Sequence, residues 1–405
     1  MSADVELAAG VVLFSERVAA GVAVRDAEGF RVLSRASAPS CALSDGVPTD
    51  FPAFSEAVRS ALSEAASLAG AEIFSAAGAL GGPHVKGVAA RGAVYLGTSP
   101  RPVNEDDTAK ALRSAGDVQL PSDRALLDVL PVAYAVDEAR GLGNPVGLEG
   151  LRLECEALAV TCSAAALSAF NRAMAAAPVK AEFVTSSAWA GVRSLLSPPE
   201  LASRALVVDL ESDGTDVLLL QNSGPRLLVT LPSGFDALVS AVARRFNLPK
   251  EAARSLLASS CRVSVPDDFL LERGAELEVP PSAGFPGAVV NKGELWDLAG
   301  EFFSELFDSV ARTLELRELG SSVDSVVLAG WAAAVEGAEE TARSRLDAPA
   351  RRAVHPAGEP SAHRLDGLLR LVFQRRRESR RGPNSAENAP SGPISRILRF
   401  LSDLF

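Results

Sequence analysis

The clearest chemical signal in this chain is a short segment near its C-terminal end, ISRILRFLSDLF at residues 394–405. Its bulky apolar side chains recur at helical spacing and so share one face, while arginines lie on the other. Such a helix fits an anionic membrane surface, with the apolar face in the acyl boundary and the guanidinium groups at the headgroups. It is too short to span a bilayer. The predicted membrane-binding residues are Ile394, Arg396, Ile397, Leu398, Arg399, Phe400, Leu401, Leu404 and Phe405.

The stretch before this segment supports the same prediction. Residues 378–393 (ESRRGPNSAENAPSGP) are rich in Pro, Gly, Ser and charge, a composition typical of a flexible linker. Residues 374–405 carry seven arginines against three acidic residues, whereas the whole chain has a net charge of −11. The basic end would therefore be attracted to an anionic surface that repels the rest of the chain. The alternative, a last core helix, seldom follows such a linker.

Residues of the kinds used in catalysis or metal binding do not occur in matching patterns. The three histidines and four cysteines form neither a Ser-His-Asp arrangement nor the paired spacing of a zinc site. We therefore predict no catalytic residues, no metal site and reduced cysteines. The acidic balance argues against nucleic-acid binding. The N-terminal MSADVELAAG lacks the pattern of a signal peptide, which predicts a cytoplasmic protein.

Strand-like apolar runs alternate with helical segments along the whole chain, which predicts an α/β or α+β architecture. At 405 residues the chain is long enough for two or three domains. Predicted strands cover residues 11–24, 30–34, 206–209, 216–221, 226–231 and 323–329. Predicted helices cover residues 53–68, 105–116, 163–177, 235–246, 250–258, 295–316 and 360–377. Residues 76–162 show a different pattern, with several strand-like runs around one or two helical segments, and are predicted to form a compact α+β insertion.

Several segments resemble FtsA, the actin-fold family that links the division polymer FtsZ to the bacterial inner membrane. Residues 123–161 (DRALLDVLPVAYAVDEARGLGNPVGLEGLRLECEALAVT) are similar to an FtsA run along their whole length. The most specific part is Asn144–Gly147, followed by Gly150 and Arg152. Residues 71–92, the LPSGFD at 231–236 and residues 361–377 resemble further FtsA segments in the same order.

The resemblance implies an α/β, actin-like two-lobed fold with ribonuclease H-like halves, an inserted SHS2-type α+β subdomain and a C-terminal amphipathic helix. Residues 1–75, 163–202 and 359–377 would form the first lobe, and residues 203–358 the second. Residues 76–162 would form the insertion, residues 378–393 the linker and residues 394–405 the membrane-targeting helix.

By the same resemblance, nucleotide would bind at three glycine-rich loops, because only glycine lets backbone amides approach phosphate closely. The first loop falls on residues 11–24, where Leu13 replaces the family's Asp. The second is VDIGGGTTD in the family and VDLESDGTD at residues 208–216 here, so two new carboxylates would repel phosphate. The family's LTGGGA becomes LAGWAA at residues 328–333, and Trp331 would fill the space of a base.

The resemblance therefore predicts a degenerate nucleotide site, with ATP and Mg²⁺ bound weakly or not at all and no other cofactor. In LPSGFD, the residues Pro232, Gly234 and Asp236 fit the family's IPVGGD. The residues retained at the site are Asp209, Thr215, Asp216, Gly234 and Gly330.

The implied function is a non-enzymatic, membrane-tethered adaptor of cell division. It would lie at the cytoplasmic face of the inner membrane, at the division site, as a peripheral protein. Its implied partners are the FtsZ C-terminal tail, further copies of itself, anionic lipids and other divisome proteins, with no nucleic acid. Two alternatives remain open. One is an active actin-type ATPase that forms filaments; the other is a PilM-like protein of type IV pilus assembly.

Overall fold

The computed structural model describes residues 5–39, 43–44, 46–263, 272–282, 284–320, 322–356 and 358–381. The predicted membrane helix and residues 382–393 of the predicted linker lie outside these ranges. The described residues form two units. The first contains the chain up to Ser203, Leu218–Val229 and the residues from Ala362 onward, and the second contains Arg204–Val217 and Thr230–Ser361.

Strands and helices alternate as the sequence predicts. The strands are β1 (Glu6–Leu13), β2 (Arg17–Asp26), β3 (Gly29–Pro39), β4 (Leu43–Ser44), β5 (Val47–Pro48), β6 (Ser75–Leu80), β7 (Lys86–Tyr95), β8 (Arg101–Pro102), β9 (Arg124–Val136), β10 (Ala139–Leu142), β11 (Glu149–Gly150), β12 (Arg152–Ser163), β13 (Lys180–Ser186), β14 (Ala205–Leu210), β15 (Thr215–Gln221), β16 (Gly224–Leu231), β17 (Glu276–Val279), β18 (Ala288–Asn291), β19 (Ser325–Gly330) and β20 (Ala350–Arg352). The helices are α1 (Phe51–Ala69), α2 (Glu105–Gly116), α3 (Ala164–Ala176), α4 (Ser187–Leu195), α5 (Pro198–Ala202), α6 (Phe235–Phe246), α7 (Lys250–Ser260), α8 (Lys292–Leu316), α9 (Trp331–Ala334), α10 (Ala338–Leu346) and α11 (Ala362–Arg381).

The first unit is built on a five-stranded sheet with the order β13-β6-β1-β2-β3. The single strand predicted over residues 11–24 is wrong, because β1 and β2 are two antiparallel strands joined by a tight turn. The turn is closed by a hydrogen bond from the Phe14 amide to the Arg17 carbonyl oxygen at 2.9 Å. Both strands are almost wholly buried, so their apolar runs merge in the sequence and hide the turn.

The insertion has a four-stranded sheet of its own, with the order β10-β9-β12-β7. Strand β6 instead pairs with β1 and β13 in the first sheet, so the predicted start of the insertion at residue 76 falls within β6. The insertion's sheet begins at Lys86. A buried ion pair between Asp128 of β9 and Arg375 of α11 ties it to the rest of the unit. The Thr185 hydroxyl on β13 also donates to Asp128, at 2.8 Å.

The second sheet has the order β16-β15-β14-β19-β20, with β14, β19 and β20 parallel. The predicted hairpin around Asn222-Ser223-Gly224 is confirmed as the β15–β16 connection. Asn222 and Ser223 both have positive φ, at 53° and 67°, as a two-residue hairpin turn requires.

Helix α11 confirms the helix predicted over residues 360–377 and continues to Arg381. The first four residues of the predicted linker are therefore helical. No helix in the part of the chain described here combines the length and hydrophobicity needed to cross a membrane.

Candidate nucleotide site

The candidate site in the second unit begins at the end of β14, which is buried at every position. Asp209, next to last in that strand, is only 2% exposed. Residues 211–214 then form the turn to β15. The turn is closed by a hydrogen bond from the Glu211 amide to the Gly214 carbonyl oxygen at 2.9 Å. This is the stretch where the FtsA pattern has its phosphate-binding glycines.

The turn is bonded through its carbonyl groups to the start of α6. The Phe235 amide donates to the Glu211 oxygen at 2.8 Å, and the Asp236 amide donates to the Ser212 oxygen at 2.9 Å. The first amides of a helix have no partner within the helix and are the groups that commonly bind anions. Two of them are used here by the turn itself, so they are not available to a phosphate group.

Gly234 makes this close approach possible. A Cβ atom at residue 234 would lie 2.3 Å from the Ser212 oxygen and 2.4 Å from the Gly214 nitrogen. The Thr215 hydroxyl adds a further bond to the same segment, since it donates to the Ser233 oxygen at 2.6 Å. The glycine and threonine that match the family pattern therefore hold two pieces of backbone together.

Two carboxylates at the turn, those of Glu211 and Asp216, are buried and hydrogen-bonded. Glu211 is 8% exposed, and its Oε2 accepts a hydrogen bond from the Ser361 hydroxyl at 2.7 Å. Asp216 accepts one from the Thr230 hydroxyl at 2.5 Å. The Glu211 side chain thus places a buried carboxylate where the family pattern has glycine, which disfavours a polyphosphate at this turn.

Gly330 ends β19 with a φ of 62°, and a Cβ atom there would lie 2.3 Å from the Leu210 oxygen and 2.6 Å from Asp209 Oδ1. The next residue, Trp331, begins α9, and its indole lies parallel to the ring of Phe235. The ring centroids are 4.3 Å apart and the planes differ by 1°. Phe235 is fully buried. The two aromatic side chains therefore occupy space in this unit as one stacked pair.

Arg254 of α7 lies next to this pair. Its guanidinium carbon is 5.9 Å from the Trp331 ring centroid, and its Nη2 donates to Asp236 Oδ1 at 2.5 Å. This positive charge beside the stacked rings is thus hydrogen-bonded to a carboxylate in the first turn of α6.

The structure brings four of the predicted residues together around the turn, namely Asp209, Thr215, Gly234 and Gly330. Asp216 lies on β15 with its side chain toward Thr230. Sequence reasoning missed the roles of Phe235, Arg254 and Ser361. A signal for Phe235 was present, because Phe235 and Trp331 both stand at glycine positions of the family patterns.

The first phosphate loop of the family pattern falls in the first unit, on the turn between β1 and β2. Leu13, which stands where the family has Asp, is 2% exposed and belongs to the core. Arg17 lies against the Phe14 ring, with 4.9 Å between the guanidinium carbon and the ring centroid. The turn is thus a short hairpin with an apolar side chain in place of the expected carboxylate.

Comparisons with known proteins agree with this architecture. Residues 82–161 match the family described as the SHS2 domain inserted in FtsA. The cell division protein FtsA of Pseudomonas aeruginosa is 25% identical over 350 residues, which is 85% of this chain and 82% of that protein. FtsA of Escherichia coli is 24% identical over 344 residues, which is 82% of this chain and 80% of that protein. The chain is therefore similar to FtsA over most of its length.

Solved structures show which fold this chain shares. A PilM–PilN type IV pilus biogenesis complex aligns with a TM-score of 0.61 and 17% identity, over 90% of this chain and 98% of that one. MreB5 of Spiroplasma citri bound to ADP aligns with a TM-score of 0.55 and 10% identity, over 93% of this chain and 99% of that one. The predicted actin-like fold with an SHS2 insertion is thereby confirmed, and the matched residues 82–161 lie within the insertion predicted for residues 76–162.

Proposed function

We propose that this FtsA relative is a membrane-tethered adaptor of cell division that anchors FtsZ filaments to the cytoplasmic face of the membrane without an ATP cycle. The observation that carries the proposal is the similarity to FtsA over more than four fifths of the chain. It supports an actin-like protein of the division machinery. Residues 394–405 supply the membrane contact, and the actin-like body supplies the surfaces for FtsZ, other divisome proteins and further copies of the chain.

The absence of an ATP cycle is proposed from the second unit. The turn at residues 211–214 has its carbonyl groups bonded to the start of α6, and Glu211 places a buried carboxylate beside it. Phe235 and Trp331 stack where the family pattern has two glycines. Phosphate and base would each have to displace groups that already have partners within this unit.

Membrane recruitment is tested by sedimenting FtsZ with anionic liposomes in the presence of the full chain or of a chain truncated after Gly392. We expect the full chain to bring FtsZ into the lipid pellet and the truncated chain to leave it in solution. Leu398→Glu should act like the truncation because it places a carboxylate on the apolar face. Ser402→Glu, which adds the same charge on the polar face, is the matched control. Recruitment of FtsZ by the truncated chain would refute the tether.

Nucleotide binding is tested by thermal unfolding with and without Mg-ATP and Mg-ADP. A ligand present at a hundred times its dissociation constant stabilises the folded state by about 2.7 kcal/mol. We expect no shift of the unfolding temperature at millimolar nucleotide. MreB5 of Spiroplasma citri, solved with ADP, is the positive control. A clear shift for this chain would favour the alternative, an active actin-type ATPase, and would leave the liposome result untouched.

A further inference from the structure

We propose that a groove in the first unit binds the headgroups of anionic phospholipids beside the membrane anchor. This inference rests on the proposed membrane tethering and adds a second lipid contact to it. The groove, which we call the arginine groove, has a volume of about 690 Å³. It is bordered by α11, by the region of α4 and α5, and by the turn between β2 and β3. The side chains that define it are Arg25, Phe30, Arg193, Leu201, Arg370 and Arg377.

The charge of the arginine groove is strongly one-sided. Four arginines line it, and Glu378 is its single acidic residue. Within the described ranges, none of these four arginines forms a salt bridge, whereas neighbouring arginines such as Arg35 and Arg376 pair with carboxylates. In a chain with a net charge of −11, four guanidinium groups against one carboxylate create a local site for an anion.

Arg193 has a side-chain donor without a partner. Its Nε atom is buried and has no hydrogen-bond partner among the described residues. Its guanidinium carbon lies 4.4 Å from the ring centroid of Trp189, and burial lowers its pKa to about 10. A buried donor without a partner is costly. An anionic group in the groove would stabilise the charged form of Arg193, which is one of its lining residues.

Part of the groove's lining is aromatic. Phe30 and Phe373 meet edge to face with 6.0 Å between ring centroids. Arg370 lies over the Phe30 ring, with its guanidinium carbon 4.2 Å from the centroid. A lining that combines arginines with aromatic rings matches an amphiphile, whose charged head pairs with arginine while its hydrocarbon covers the rings. A free phosphate ion would contact the arginines alone.

The position of the groove along the chain favours lipid over an acidic peptide. Arg370 and Arg377 lie two helical turns apart on α11, which ends at Arg381. Only residues 382–393 separate that helix from the predicted membrane segment. If these twelve residues form the flexible linker that their composition predicts, its end-to-end distance is about 20 Å. Once the segment has inserted, the groove is held close to the headgroups at a high effective concentration, an advantage that no soluble peptide has.

The test is flotation of the full chain with vesicles of equal parts phosphatidylglycerol and phosphatidylcholine, or of phosphatidylcholine alone. The groove variant is Arg370→Gln/Arg377→Gln. The matched control is Arg140→Gln/Arg244→Gln, which removes the same charge from two exposed arginines elsewhere. We expect the groove variant to bind the mixed vesicles about 30-fold more weakly, roughly fivefold for each arginine. The control should stay close to the unchanged chain. Unfolding temperatures of both variants check that they fold.

Other outcomes separate the hypotheses. If the unchanged chain does not float with the mixed vesicles, the proposed tethering fails. If it floats and both variants weaken equally, only net charge matters and the groove has no special role. Tighter binding by the groove variant would mean that the groove holds the chain's own membrane segment, which overturns the inference. The groove variant could also float as the unchanged chain does but no longer bind a polyglutamate peptide. That result would assign the groove to an acidic protein partner instead.

Discussion

Replacing Phe235 and Trp331 by leucine, singly and together, should show that the two rings are energetically coupled. Phe235 is fully buried, so Phe235→Leu should cost about 1–2 kcal/mol in the free energy of unfolding. Trp331 is half-buried, and Trp331→Leu should cost about the same. Parallel rings with centroids 4.3 Å apart contribute about 0.5–1.5 kcal/mol beyond their buried area. The double variant should therefore be less destabilised than the sum of the single variants by about 1 kcal/mol.

The assay is guanidinium-induced unfolding of the four proteins of this cycle, followed by circular dichroism and by tryptophan fluorescence. Fluorescence reports on the stack because Trp331 is one of three tryptophans in the chain. The control cycle combines Phe235→Leu with Trp296→Leu, whose indole donates instead to the Ser260 oxygen. That pair should be additive. Additivity of the Phe235–Trp331 pair within about 0.3 kcal/mol would refute the stacking, and with it the argument that aromatic side chains fill the base site.

Three further predictions concern the first unit. Asp128→Ala should lower the free energy of unfolding by about 3–5 kcal/mol in urea, because it leaves the buried guanidinium of Arg375 without its carboxylate. The hydrogen bond from Arg101 lowers the pKa of Asp107. The stabilisation of the fold by this bond is therefore complete above pH about 4 and is lost as the pH falls below that value. Asp107→Asn should make the free energy of unfolding less sensitive to acid in this range. Burial raises the pKa of Cys155 and Cys162 to about 12, so a thiol reagent at neutral pH should modify both only after unfolding.

Local signals in the sequence were enough to place most of the helices. Helix α1 begins after Asp50, whose side chain accepts from the Ala53 amide, and it ends at Gly70 in the left-handed conformation. Such caps can be recognised from a single sequence. The β1–β2 turn could not be recognised from the sequence, because it lies between two buried strands. It also lacks the glycine or asparagine that marks the turn at residues 222–224.

At the candidate site, the sequence predicted the residue types but not the contacts between them. The resemblance to FtsA found the turn at residues 211–214 and the loss of its glycines, because these are properties of single positions. It could not show that Phe235 and Trp331 stack on each other, since they are far apart in the sequence and meet only through the fold. Nor could it show that the turn's carbonyl groups accept from the α6 amides, because backbone bonding depends on geometry rather than on residue type.

The bonds between the turn at residues 211–214 and the start of α6 also bear on how the cell would regulate this protein. When a turn is held by a nucleotide, its order follows the concentrations of that nucleotide and its hydrolysis product. Here the amides that hold the turn belong to the same chain, so every molecule carries them and their amount cannot vary independently of the turn. On the proposed function, assembly at the membrane thus responds to the amounts of this protein, FtsZ and anionic lipid, and is insensitive to the energy charge of the cell.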